Sequence, residues 1–137
     1  LGLLLDTSIL IASERRGGSV EDILRQARAA HGEIDIAISV VSVAELTHGD
    51  LSGRTEADRD RRRLFAEGVF NDLIVHPVTL DIARLAGRIE GEQAALGNVI
   101  AFADLLIGAT ALQLAFDVAT LNVKHFESIP GLRLVTL

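Results

Sequence analysis

Three acidic residues of this chain stand where an acid is costly. Asp6 closes the apolar run Gly2-Leu3-Leu4-Leu5. Glu45 lies in Ser42-Val43-Ala44-Glu45-Leu46. Asp104 interrupts the otherwise apolar stretch from Val99 through Ala111. A lone charge bracketed by apolar side chains is expensive to bury. Each acid also has a plainer role. Asp6 can cap a helix by accepting a bond from a free backbone amide. Ser42 and Glu45 have the spacing of a capping box, and Asp104 can oppose the dipole at a helix start. A good cap stabilises by about 1 kcal/mol, so any one acid is explained by its cap. Three acids at three separate junctions are explained less well that way. Converging carboxylates repel, and a hard divalent cation removes that repulsion. Magnesium or manganese suits oxygen ligands and is held by one or two carboxylates plus a phosphate. Such a pocket points to phosphate-ester chemistry, with the metal activating water and polarising a phosphoryl oxygen.

The elements that would carry these acids follow from pattern. Gly2 to Leu5 reads as a buried parallel strand, so Asp6-Thr7-Ser8 falls at a strand end and a helix start. Arg15-Arg16-Gly17-Gly18 closes that first helix. Ser19, with Asp22 three residues on, caps a helix from about Val20 to Ala30, whose inner face is Val20, Ile23, Leu24 and Ala27. Ile34 to Val41 reads as the second strand, with a helix starting at Ser42. Arg54 to Phe70 is expected to form an amphipathic helix with Ala57, Leu64, Phe65 and Val69 inside. Leu73-Ile74-Val75 is a short third strand ended by Pro77, and Thr79 caps a helix through about Ala95. Leu96-Gly97-Asn98 turns the chain into the Asp104 helix, which includes Leu105, Ile107, Ala109, Leu112 and Phe116 on buried positions. Val118 to Thr120 is a fourth strand, and Leu132 to Leu137 a last, edge strand. This alternation predicts an α/β fold with a mostly parallel sheet of four or five strands, covered on both faces. Functional sites in such sheets gather at the carboxyl ends of the strands, where Asp6, Glu45 and Asn122 fall.

Composition sets the outer limits. A chain of 137 residues with 49% hydrophobic content suits one domain, 1–137. No apolar run approaches the ~18 residues of a membrane span, and no secretory pattern is visible. There is no Cys, hence no disulfide scaffold and no thiolate metal site. A soluble cytoplasmic protein is the expectation. With no initiator Met, the numbering is expected to start inside the natural chain. The net charge of -6 argues against broad, nonspecific nucleic-acid binding, though not against a nucleic acid held through a cation.

Taken in order, these segments resemble the PIN domain family. Asp6-Thr7-Ser8 after an apolar strand resembles the family's opening. Ser42 to Leu46 with Gly49 behind it resembles its second acidic motif, and Asp104 to Ala111 its third. Thr120-Leu121-Asn122-Val123-Lys124-His125-Phe126, then Ile129-Pro130-Gly131-Leu132, resembles its carboxyl-terminal signature. The size and the close of the chain most resemble the VapC toxins of bacterial type II toxin–antitoxin pairs. The resemblance implies a three-layer α/β/α sandwich and an endoribonuclease dependent on Mg2+ or Mn2+. Asp6 and Asp104 would ligate the metal directly, Glu45 directly or through water. Asn122 stands where many relatives carry a fourth acid; it offers a carbonyl oxygen but no charge, which points to one firm metal site and a weaker second one. Thr7, Ser8 and Thr120 match the family's hydroxyl positions and would orient an acid, a water or a phosphate. Their plainer role is that of turn and cap hydroxyls. The resemblance also implies an RNA substrate, a homodimer, and a small VapB-like antitoxin with a segment in the active-site groove.

Other residues point elsewhere less strongly. His31, His48, His76 and His125 show no zinc-ligand spacing and are assigned to surface or packing roles, His125 least firmly because it adjoins Asn122. The arginines at 59, 61, 62 and 63 alternate with acids and read as a solvated face first, a contact surface second. No Walker or dinucleotide fingerprint is present, and nothing supports acyl-enzyme chemistry. Two other functions stay open. A magnesium-binding signalling receiver would want adjacent acids after the first strand and a distant Lys, whereas Asp6 stands alone and Lys124 adjoins Asn122. A PIN fold that only binds a partner, without catalysis, is compatible with the amide at Asn122.

Overall fold

The computed structural model describes the backbone of residues 1–137 and every side chain but that of Asp50. Among the described residues the chain forms five strands and seven helices. In order these are β1 (Gly2–Leu5), α1 (Thr7–Arg15), α2 (Val20–His31), β2 (Asp35–Ser39), α3 (Val40–Leu51), α4 (Glu56–Asp72), β3 (Ile74–His76), α5 (Leu80–Ala95), α6 (Phe102–Leu114), β4 (Asp117–Ala119), α7 (Val123–Phe126) and β5 (Leu134–Val135). The sheet order is β3-β2-β1-β4-β5, and every pairing is parallel. All four residues of β1 are buried, as a central strand covered on both faces requires.

Alternation along the central strands divides the core into two layers. Leu3 and Leu5 of β1, with Ile36 and Ile38 of β2, face α1, α2 and α4 through Leu10, Ile23 and Val69. Leu4 and Ala37 face the other way, onto Ile82 and Ile89 of α5 and Leu105 and Ile107 of α6. The apolar character of α6 follows from that position, since it packs against α5, the sheet and α7 at once. Gly2 admits the ring of Phe116, which a Cβ at that position would meet at 2.4 Å. Gly108 admits Ile129, whose Cδ1 a Cβ would meet at 2.5 Å.

The capping box at Ser19 and Asp22 forms, and Thr79 caps α5 by accepting from Ile82. Several boundaries differ from the sequence expectation. The second strand ends at Ser39, not Val41. Ser39 is the helix cap, accepting from the backbone of Val41, so α3 begins two residues before Ser42. Val40 and Val41 are β-branched and favour a strand locally, but the cap at Ser39 turns them into the helix's first turn. Ala57 and Leu64 do not face the core: Leu64 is 65% exposed, and the buried residues of α4 are Ala66 and Val69. The many charges of this helix leave it a narrow apolar stripe. Phe116 lies beyond the end of α6, which closes at Ala115 in a left-handed conformation (φ 57°). Residues 123–126 form a short helix that the sequence reading did not separate. Among the described residues no helix is long and apolar enough to cross a membrane.

Candidate functional site

The chain leaves β1 for β2 and β3 on one side, then returns to place β4 and β5 on the other. The crevice where strand order reverses therefore lies between the carboxyl ends of β1 and β4, the place where open α/β sheets bind ligands. Asp6 and Thr120 are the first residues past these two strands. The backbone ladder continues to both of them: Asp6 N donates to Ala119 O (2.9 Å), and Thr120 N to Val135 O (3.2 Å).

Asp6 occupies the cap position of α1, yet its side chain makes no cap hydrogen bond. Its carboxylate is instead held by two hydroxyls that converge on one oxygen. Ser8 Oγ donates to Oδ2 at 2.7 Å, and Thr120 Oγ1 donates to the same atom at 2.8 Å. Both hydroxyls also accept a backbone N–H, Ser8 from Leu121 (3.1 Å) and Thr120 from Asn122 (2.9 Å). The segment 120–122 is thus clamped onto the start of α1, and Asp6 is 4% exposed. Oδ1 takes part in none of the hydrogen bonds found among the described residues.

Glu45 does not serve as a capping-box acid either, because Ser39 caps α3. Thr7 Oγ1 donates to Glu45 Oε1 at 2.8 Å and lies 2.7 Å from Ser42 Oγ. With its one proton given to Glu45, Thr7 accepts from Ser42. Ser42 is fully buried, and it stands three residues before Glu45 on the same helix face. The relay Ser42 to Thr7 to Glu45 ties α3 to α1, which pack together.

Asp104 lies in the first turn of α6, where the helix dipole favours an acid. Burial pushes its carboxyl above the ordinary carboxylate value, and the negative charges of Asp6 and Glu45 push it the same way. His125 opposes them. Its Nδ1 lies 3.3 Å from Asp104 Oδ2, with the imidazole 57% and the carboxylate 17% exposed. His125, left to surface or packing roles by its sequence setting, therefore touches the acid cluster. Asn122 takes the first position before α7 without a side-chain cap bond, is exposed, and joins the network through its backbone N–H.

The structure thus joins Asp6, Ser8 and Thr120 in one hydrogen-bonded group and Thr7, Ser42 and Glu45 in another, with Asp104 close enough to feel the charge of both acids. Among the described residues no three His, Asp or Glu groups are gathered tightly enough to encage a metal ion. A closed protein cage is accordingly not what this arrangement offers. It offers carboxylates with oxygens left free, and burial together with the charges of Asp6 and Glu45 raises the Asp104 pKa. That donor chemistry fits a hard cation which keeps several of its own waters. Beside Glu45, between α1, α3 and α4, opens a cavity of about 680 Å³ lined by Ile11, Arg15, His48, Arg54, Arg62 and Phe65 among others.

A parallel sheet with acids at its switch point defines a class of fold and site. The PIN domain family matches residues 3–132, and the chain belongs to that family. Curated relatives include ribonuclease VapC10 of Mycobacterium tuberculosis, 38% identical over 131 residues that span 96% of this chain and 90% of that protein. Ribonuclease VapC1 of Rickettsia felis is 31% identical over 137 residues, spanning 100% of this chain and 97% of that protein. Among solved structures, the DNA-bound VapBC of Salmonella typhimurium superposes with a TM-score of 0.83 at 26% identity, covering 99% of this chain and 98% of that one. The VapBC2 complex of Rickettsia felis on a promoter DNA fragment shares the fold, with a TM-score of 0.80 at 23% identity, covering 100% of this chain and 99% of that one.

Proposed function

We propose that this chain is a Mg2+- or Mn2+-dependent endoribonuclease and the toxin of a VapBC-type pair. The observation that carries the reading is the acid cluster at the switch point, with Asp6 and Glu45 held by hydroxyls rather than spent as helix caps and Asp104 within reach of their charge, in a chain whose relatives are named ribonuclease VapC. Asp6 and Asp104 would hold the cation directly, and Glu45 directly or through water. The bound cation supplies Lewis acidity toward a phosphoryl oxygen and makes water a stronger nucleophile. The protein's own contribution is orientation. Ser8 and Thr120 fix one oxygen of Asp6 and leave the other to face a ligand. Thr7, itself held by Ser42, fixes Glu45. Asn122 offers a neutral amide near the substrate, consistent with one firm metal site.

The partners follow the same reading: an RNA substrate, a second copy of the chain, and a VapB-like antitoxin. The cavity beside Glu45, where Ile11, Leu46 and Phe65 stand beside arginines and the acids Glu14 and Asp58, would receive an antitoxin segment at the edge of the site. The test is cleavage-site mapping on total RNA with purified protein and Mg2+ or Mn2+. Asp6→Asn and Asp104→Asn should each lower the cleavage rate by more than the roughly 10–100-fold that loss of an outer partner of a metal ligand costs. Both should also relieve growth arrest on expression. Full activity in both variants would overturn the nuclease reading. Manganese titration addresses the non-catalytic alternative that the amide at Asn122 keeps open: a chain that binds no manganese serves only as a binding module.

A further inference from the structure

Among the described residues, His125 is the one basic side chain at ion-pair distance from an acid of the cluster, and it comes from α7, an element the three acids do not share. Resting on the metal-site reading above, we propose that His125 is a positioning residue for Asp104: its Nδ1–H holds Oδ2 and so aims the other carboxylate oxygen at the cation. Three observations carry this. First, the other two acids each have a fixed hydroxyl on one oxygen, Ser8 and Thr120 on Asp6 and Thr7 on Glu45. Asp104 has no such hydroxyl among the described residues, and the imidazole Nδ1, 3.3 Å from its Oδ2, is the polar group that stands in that place at ion-pair distance. Secondly, the negative charges of Asp6 and Glu45 bear on Asp104, and a carboxylate under that repulsion gains from a fixed partner. Thirdly, α7 is anchored so that the contact is reproducible. Phe126 is fully buried, α7 packs on α6, and the backbone of His125 donates to Asn122 O at 3.0 Å. Carboxylates that ligate metals are commonly oriented by such outer partners.

The role needs a neutral imidazole with its proton on Nδ1 and involves no change of charge. It predicts which replacement will work. The amide nitrogen of Asn lies as many bonds from the backbone as Nδ1 does, whereas that of Gln matches Nε2. Manganese affinity should be measured by calorimetry for wild type, Asp104→Asn, His125→Ala, His125→Gln and His125→Asn, with kcat and KM for RNA cleavage alongside. His125→Ala and His125→Gln should bind manganese about 10-fold or more weakly, with His125→Asn close to wild type. At saturating manganese, KM should change little in all three. Equal weakening in all three His125 variants, or none in any, would overturn the proposal. So would a loss confined to KM, which would make His125 an RNA contact. If wild type itself binds no manganese and cleaves no RNA, the nuclease reading fails first. If wild type binds and Asp104→Asn does not, while His125→Ala matches wild type, only the role of His125 fails.

Discussion

Asp104 is held in the folded protein against its own preference. It is largely withdrawn from water and repelled by Asp6 and Glu45, so its folded-state pKa is raised. The folded chain therefore binds that proton more tightly than the unfolded chain does. The stability this provides is present below the ordinary carboxylate value and is lost as pH climbs through the raised one. At neutral pH, well above the ordinary carboxylate value, the metal-free protein bears a cost from this shift. Asp104→Asn should accordingly melt higher than wild type at pH 7 in the presence of a chelator. The difference should close as pH is lowered toward the ordinary carboxylate range. Thermal melts across pH check this, and a variant that melts lower at every pH would contradict it. The acids themselves were legible in the sequence because charge inside apolar runs stands out. Ser42 and His125 were not. Ser42 looks like a cap until Ser39 is seen to hold that position, and His125 comes within reach of Asp104 only because α7 packs on α6.

At the level of elements, position depends on close approach. The carboxyl-terminal segment lies on α6 through Ile129 and Leu132, and Gly108 makes room for both. A methyl group at residue 108 would meet Ile129 Cδ1 at 2.5 Å and Leu132 Cδ2 at 3.4 Å. Gly108→Ala should therefore cost about 1–3 kcal/mol by overpacking. Ile129→Val, which deletes that same Cδ1, should cost about 0.5–1.5 kcal/mol alone. Combined, they should cost clearly less than the sum, because each removes the other's fault. Urea denaturation of the four proteins tests this, and strict additivity would show that the helix, not the side chain, gives way. The pattern of strands and helices was readable because the period changes sharply from one to the other. The start of α3 was misplaced because β-branched residues leave the local preference open and a single buried serine settles it. The inner face of α4 was misjudged at Leu64 because an apolar residue on a charged helix need not be buried.

For the molecule as a whole, the net charge of -6 and the repelling acids make cation binding a folding matter. A ligand that binds only the folded state stabilises it by about 2.7 kcal/mol at 100 times its Kd. Manganese at that excess should raise the melting temperature of wild type measurably and leave Asp104→Asn nearly unmoved. The same shift in both proteins would place the ion elsewhere. The sheet order was beyond reach of the sequence, since nothing local says that β4 returns to the far side of β1. That return has a temporal side. Asp6 is made early, and the hydroxyl of Thr120 that steadies it lies 114 residues later in the chain. A polypeptide grown only as far as Ala119 therefore carries the acid without its clamp, and the arrangement around Asp6 can be completed only after residue 120 has emerged. On the nuclease reading, chains stalled before Thr120 has emerged should leave the surrounding RNA intact.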